Sequence, residues 1–149
     1  MKHRSEVFKL TWAALTASYA LPSKVEVIRP GNLINSQLVP AEGVDVNSEN
    51  GVQQHNAMSL SYDWTAASGT LFSIAPFART QIDGASTFRP ILEGHLSAGA
   101  VTEVPLEMST AAAAGCMKPF SILERSIAIK AKTNIASGSA VVYLTLGNL

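Results

Sequence analysis

The middle of the chain carries an alternation of apolar and polar side chains that constrains the fold more than any other feature. Apolar residues take the even positions from 58 to 64 and polar residues take the odd ones: Met58, Leu60, Tyr62 and Trp64 against Ser59, Ser61 and Asp63. Successive side chains of a strand point to opposite faces, so this period of two predicts a strand with one buried face. A helix would instead need apolar residues three and four positions apart.

The same pattern recurs near the amino end. Phe8, Leu10 and Trp12 occupy alternate positions and predict a strand with these three side chains on its buried face. The break Leu21-Pro22-Ser23 follows, and residues 24–29 predict a second strand that Pro30-Gly31 ends.

The carboxyl end predicts a hairpin. Ile127 and Ile129 lie on one face of its first strand, and Lys130 and Lys132 lie on the other face. A Ser-Gly turn leads to a returning strand at 140–146, which is rich in Val, Tyr, Leu and Thr.

Shorter stretches with strand character complete the pattern: 32–39, 70–80, 88–93 and 101–108. About eight strands with turns at short intervals are typical of two packed antiparallel sheets. We therefore expect an all-β fold, a β-sandwich of jelly-roll type.

One segment favours a helix. Ser109 or Thr110 is a suitable amino-terminal cap, four alanines follow, and Gly115 is a suitable carboxyl-terminal end. The segment allows at most two turns, which is too short to be stable without tertiary support. We expect at most this one short helix.

The length of 149 residues fits one domain. We expect a single β-sandwich domain over 1–149, with residues 1–5 as an amino-terminal arm.

Charged side chains are scarce. They make up 15% of the chain, against about 25% in an ordinary soluble protein. The net charge is zero, which excludes a dedicated nucleic-acid binder and a polybasic membrane module on bulk charge. Ala, Ser, Thr and Asn fill the polar faces instead, and such faces lose little hydration free energy when a neighbour covers them. This composition favours a component of an assembly, and we expect a homo-oligomer.

The charges that are present are unevenly distributed. Residues 1–31 and 111–149 are each net basic by three charges, whereas residues 32–110 are net acidic by six. One interpretation is that the two ends pair in one sheet of a monomer. The other is that the basic patch of one copy meets the acidic patch of another, which would orient the partners more than it adds affinity.

The sequence offers little chemistry for catalysis. His3, His55 and His95 lack the spacing of known metal-ligand motifs, and no phosphate-binding loop or nucleophile elbow occurs. We expect no enzyme activity, no metal and no cofactor. The single cysteine, Cys116, is expected to be a buried, inert thiol.

Two other functions are left open by the residues. Trp12, Trp64, Tyr62 and Phe72 are candidates for a sugar-stacking platform of a carbohydrate-binding module, although a core would need most of them. A hydrolase would need a spatial pair among the acids: Asp63, Asp83, Glu93 and Glu103.

Both ends of the chain resemble a known family. The run FKLTWAALTASYALPS from Phe8 to Ser23 leads into the strand Val25 to Ile28, and the chain closes with IAIKAK, a Ser-Gly turn and VVYLTLG. This pattern resembles small β-sandwich virion proteins of tailed bacteriophages, namely the capsid decoration or cement proteins. The resemblance does not extend to the acidic middle of the chain.

The resemblance implies a structural protein that is made in the host cytoplasm and resides in the virion. Such a protein braces the capsid shell, commonly as a trimer, through contacts with the major capsid protein or other virion subunits, and it carries no active-site residues. A tail, collar or head-fibre component is the alternative virion role. The candidate interface residues are Lys2 and Arg4 in the arm and Lys130 and Lys132 in the last hairpin, which are expected to meet acidic partners.

Overall fold

The structure is a computed structural model. It describes residues 5–29, 37–39, 43–45, 56–65, 70–79, 89–90, 92–97, 100–105, 107–121, 126–136 and 138–148.

The described residues form strands and no helix. In chain order the strands are β1 (Glu6–Trp12), β2 (Lys24–Arg29), β3 (Gln37–Val39), β4 (Gly43–Asp45), β5 (Ala57–Thr65), β6 (Phe72–Arg79), β7 (Arg89–Pro90), β8 (Leu92–Ser97), β9 (Ala100–Pro105), β10 (Met108–Thr110), β11 (Ala114–Ser121), β12 (Ser126–Thr133) and β13 (Ser139–Gly147). The predicted all-β class is confirmed, and β2 has the bounds that the sequence predicts.

Two antiparallel sheets form the body of the fold. Sheet A has the order β11-β5-β13-β1-β2. Sheet B has the order β10-β6-β12-β4-β3, and β7 pairs with β6. Sheets A and B together contain eleven described strands, more than the number of about eight that the sequence predicts, and β11 lies where the sequence predicts no strand. The strands β8 and β9 form a separate two-stranded ribbon.

One hydrophobic core lies between the two sheets. Sheet A contributes the alternating apolar residues of β1, β5 and β13, and sheet B contributes those of β6 and β12. Phe72 of β6 is fully buried, and its ring lies 5.4 Å from that of Tyr62 and 5.6 Å from that of Trp64, both on β5. These ring contacts join the sheets, so the fold is a β-sandwich; its jelly-roll type remains a prediction.

The two ends of the chain meet in sheet A. β1 pairs with β13 along its whole length, from Glu6 opposite Leu146 to Trp12 opposite Ala140. The two basic ends of the chain therefore pair in one sheet, as the first interpretation of the charge distribution requires. This pairing brings Lys9 of β1 next to Tyr143 of β13 on the outer face of the sheet.

The segment between β1 and β2 crosses from sheet A to strand β12 of sheet B and returns. Ala20 and Ala131 of β12 exchange two backbone hydrogen bonds of 3.1 Å. The indole Nε1 of Trp12 donates a hydrogen bond of 2.8 Å to the carbonyl of Ala20. The buried Trp12 therefore fixes the position of the residues on either side of Ala20.

The helix predicted at 109–115 is wrong. Ser109 pairs with Ser73 as part of β10, and Gly115 pairs with Tyr62 as part of β11. Between these strands, the backbone amide and the indole of Trp64 donate hydrogen bonds to the carbonyls of Ala113 and Ala112. Strand pairing and the contacts of a buried tryptophan stabilise more than one or two turns of alanine helix can.

Candidate functional site

Lys130 and Lys132 project from the outer face of sheet B. In β12 the side chains of Ile127, Ile129 and Ala131 are buried in the core, and Lys130 and Lys132 are half-buried on the other face, where Ala128 is buried as well. This confirms the two faces that the sequence predicts for the strand. The two lysines therefore lie on one side of the sandwich, two positions apart along the strand.

Each of these lysines lies over an aromatic ring. The Nζ atom of Lys130 is 4.3 Å from the ring centroid of Phe77, and that of Lys132 is 4.6 Å from the ring centroid of Tyr19. The two rings contact each other edge to face, with centroids 6.0 Å apart. We call Tyr19, Phe77, Lys130 and Lys132 the basic-aromatic cluster.

Tyr19 links the cluster to a third strand of sheet B. Its hydroxyl donates a hydrogen bond to the carboxylate of Glu107, which precedes β10. Burial raises the pKa of Tyr19, the hydrogen bond and negative charge of Glu107 raise it further, and a hydrogen bond with Ser73 opposes them. The phenol therefore stays protonated at neutral pH and remains a donor to the carboxylate.

The strands beneath the cluster are tied together by side chains as well as by backbone pairing. The hydroxyl groups of Ser73 on β6 and Ser109 on β10 are 2.6 Å apart and form a hydrogen bond. Ser73 also lies opposite Lys132 in the pairing of β6 with β12. Glu107, Tyr19 and Lys132 therefore lie over one continuous surface that β10, β6 and β12 form.

This arrangement suits the recognition of carboxylates. A cation–π contact attracts an ammonium group to the face of a ring and restricts the motion of a long side chain. Such preordering lowers the entropy cost when the lysine later pairs with an acid of a partner. Lys130, Lys132 and Glu107 together carry a net positive charge.

The structure brings two of the four predicted interface residues together. Lys130 and Lys132 both belong to the cluster, whereas Lys2 and Arg4 lie outside the described residues. Sequence reasoning missed Tyr19, Phe77 and Glu107. Tyr19 and Glu107 are 88 residues apart in the chain, so no local pattern marks their contact.

The expectation of a buried Cys116 is wrong. Its side chain is exposed because β11 is an edge strand of sheet A. Cys116 lies opposite Ser61, one of the polar residues on the outer face of β5.

The aromatic side chains that were candidates for a sugar-stacking platform are not exposed. Trp12, Tyr62, Trp64 and Phe72 are all buried in the core, with at most 9% of any of them exposed. Their burial leaves none of these rings available for a sugar.

Within the described ranges, no cluster of three or more histidine, cysteine or acidic side chains could hold a metal ion. The same part of the chain contains no helix with the length and hydropathy of a membrane span.

Comparison of the chain with protein-family models gives no match, and a search among curated proteins gives no match either.

Proposed function

We propose that this chain is a structural virion protein of a tailed bacteriophage, of the capsid decoration or cement type. It binds the outside of the shell through the basic-aromatic cluster and acts by protein–protein contact alone. Its partner is an acidic surface of the major capsid protein or of another virion subunit. A tail, collar or head-fibre position is the alternative, and it would use the same surface.

The observation that carries this proposal is the placement of Lys130 and Lys132 over Phe77 and Tyr19 on one outer face. Two ammonium groups held on a rigid strand present a fixed pattern of charge to a partner. The rings beneath them supply apolar area next to that charge, and tyrosine is one of the residues enriched in binding hot spots.

The scarcity of charge elsewhere supports the same proposal. Only 15% of the chain is charged, so most of the surface that a neighbouring subunit covers holds Ser, Thr, Ala or Asn rather than ions. Covering such a surface costs little desolvation free energy. The lysines then determine which partner binds, while the neutral surface around them allows close packing.

The test uses particles of the phage that encodes this chain, assembled without it. Purified chain is added, and bound and free protein are separated by sedimentation. We expect the wild-type chain to bind and the double variant Lys130→Ala/Lys132→Ala to bind at least about tenfold more weakly, which corresponds to about 1.4 kcal/mol.

Lys24→Ala is the matched control. Lys24 is an exposed lysine on sheet A, 67% exposed and paired with Glu26 at 3.2 Å, and its loss should leave binding unchanged. Thermal unfolding of each variant verifies that it is folded. Absence of wild-type binding, or equal binding by the double variant, would overturn the proposal.

A further inference from the structure

The outer face of sheet A forms an ordered array of small, polar and charged side chains. The strand pairings align Cys116, Ser61, Tyr143, Lys9 and Glu26 in one row across all five strands. The neighbouring row contains Ala114, Asp63, Val141, Thr11 and Lys24. Tyr143 lies on the middle strand, β13, and is the only aromatic residue in these two rows.

We propose that this face is a homodimer interface, in which two copies pack sheet A against sheet A about a twofold axis parallel to β13. β13 of one copy then lies over β13 of the other, and Tyr143 lies on the axis against its own symmetry mate. The homodimer adds to the proposed function but does not depend on it, because it follows from the register of the strands in sheet A.

Two charges on the face, Lys9 and Asp63, are complementary about this axis, whereas Lys24 and Glu26 of β2 pair with each other within the chain. Asp63 lies on β5, one strand to one side of β13, and Lys9 lies on β1, one strand to the other side. The twofold axis exchanges the two sides, so Lys9 of the second copy lies over β5 of the first. It is then about 7 Å along the strand from Asp63, within reach of a lysine side chain.

The other twofold axis in the plane of the face, perpendicular to the strands, is unfavourable. Where that axis passes through Tyr143, it places Lys9 directly over Lys9 of the second copy, and like charges in contact are destabilising. With the axis parallel to β13, the two copies of Lys9 are two strands apart, about 10 Å. Within the described residues, neither Lys9 nor Asp63 forms an ion pair in the single chain.

The face is large enough for a stable dimer. Five strands of six to nine residues, at about 4.8 Å spacing and about 3.3 Å per residue, give a projected area on the order of 600 Å², which is the lower limit per partner for a stable interface. A standard protein interface buries about 800 Å² on each partner. Ser59, Ser61 and Thr145 are partly exposed on this face, and small side chains let two sheets approach to about 10 Å.

The dimer has a consequence for the proposed function. The layers stack in the order sheet B, sheet A, sheet A, sheet B, so the two basic-aromatic clusters point in opposite directions. On a shell, one copy of the dimer would therefore face the capsid with its cluster, and the cluster of the other copy would point away from it. Because the contact is twofold it closes at two copies, whereas the resemblance implies a trimer.

The test uses two charge variants and their mixture. Lys9→Glu makes both residues of the Lys9–Asp63 pair acidic, and Asp63→Lys makes both of them basic. The mass of each chain is measured by light scattering and native mass spectrometry. We expect the wild type to be a dimer, and each variant alone to dissociate with a dissociation constant at least tenfold higher.

An equimolar mixture of the two variants is expected to form a heterodimer, because every acid then faces a base. Recovery on mixing also shows that both variants are folded. Ile135→Lys adds a charge at an exposed loop position away from the face and should leave the dimer intact.

A monomeric or trimeric wild type would overturn the dimer, as would variants that keep the wild-type mass or folded variants that do not associate on mixing. These masses are measured without capsids. Failure of the dimer is therefore distinct from failure of capsid binding.

Discussion

The hydroxyl of Tyr19 donates a hydrogen bond to the carboxylate of Glu107, and this contact joins the segment after β1 to the start of β10. The two residues are 88 positions apart in the chain. The ring of Tyr19 lies against the ring of Phe77 and beneath the ammonium group of Lys132 on the outer face of sheet B. The basic-aromatic cluster depends on this contact for its shape.

Tyr19→Phe should therefore change how stability depends on pH. The pKa of Tyr19 is raised above its ordinary value of about 10, so the folded state holds the phenolic proton more tightly than the unfolded state. The resulting stabilisation is fully present below pH 10 and is lost as the pH rises above 10.

Urea unfolding at pH 8 and at pH 11 measures this effect. At pH 8 the variant should be less stable by about 1 kcal/mol or less, because the lost hydrogen bond is partly exposed. At pH 11 the difference should shrink or reverse. A difference that stays the same at both pH values would contradict the role of Tyr19.

Phe72 is expected to be a major contributor to the stability of the sandwich. It is fully buried and contacts both Tyr62 and Trp64 of the facing sheet. Phe72→Ala leaves a cavity and should lower the free energy of unfolding by about 3–5 kcal/mol.

Its neighbour Leu71, which is 43% exposed, is the matched control, and Leu71→Ala should cost about 0.5 kcal/mol or less. Thermal or chemical unfolding measures both variants. Equal losses for the two would mean that Phe72 does not join the sheets.

Gly115 and Gly147 should differ sharply in their tolerance of a methyl group. A Cβ atom at Gly115 would lie 2.9 Å from the hydroxyl oxygen and 3.1 Å from a ring carbon of Tyr62, whose ring is packed against Phe72. Gly115→Ala should therefore displace Tyr62 and cost about 1–3 kcal/mol.

At Gly147 the closest atom would be the Cβ of Ser5 at 3.7 Å, an ordinary contact, so Gly147→Ala should change stability little. Unfolding midpoints of the two variants provide the comparison. A Gly115→Ala variant as stable as Gly147→Ala would contradict the packing of Tyr62 against β11.

The parts of the fold that were predictable are those set by local alternation. The period of two at Phe8, Leu10 and Trp12 and again at Met58 to Trp64 identifies buried faces without knowledge of the partner strands, and all of these residues are in the core. The two faces of β12 followed from the same rule.

Features that depend on residues distant in the chain were not predictable. The alanines after Thr110 have high helix propensity, but hydrogen bonds from Trp64 hold them in a strand connection. Cys116 was expected inside because free cysteines are commonly buried, yet its strand lies at a sheet edge.

The same limit applies to the candidate site. The sequence marks Lys130 and Lys132 as a charged face but gives no sign that Tyr19 and Phe77 lie beneath them. Only the crossing of the 13–23 segment to the edge of β12 brings Tyr19 there, and that crossing depends on the pairing of Ala20 with Ala131.

Electron cryo-microscopy of the phage capsid with this chain bound is the most direct test of the proposed function. The account predicts the sandwich on the shell with the outer face of sheet B in contact with it, and with Lys130 and Lys132 against acidic side chains of a shell subunit. Particles that lack the chain, or particles in which no bound copy places this face of sheet B against the shell, would contradict the account.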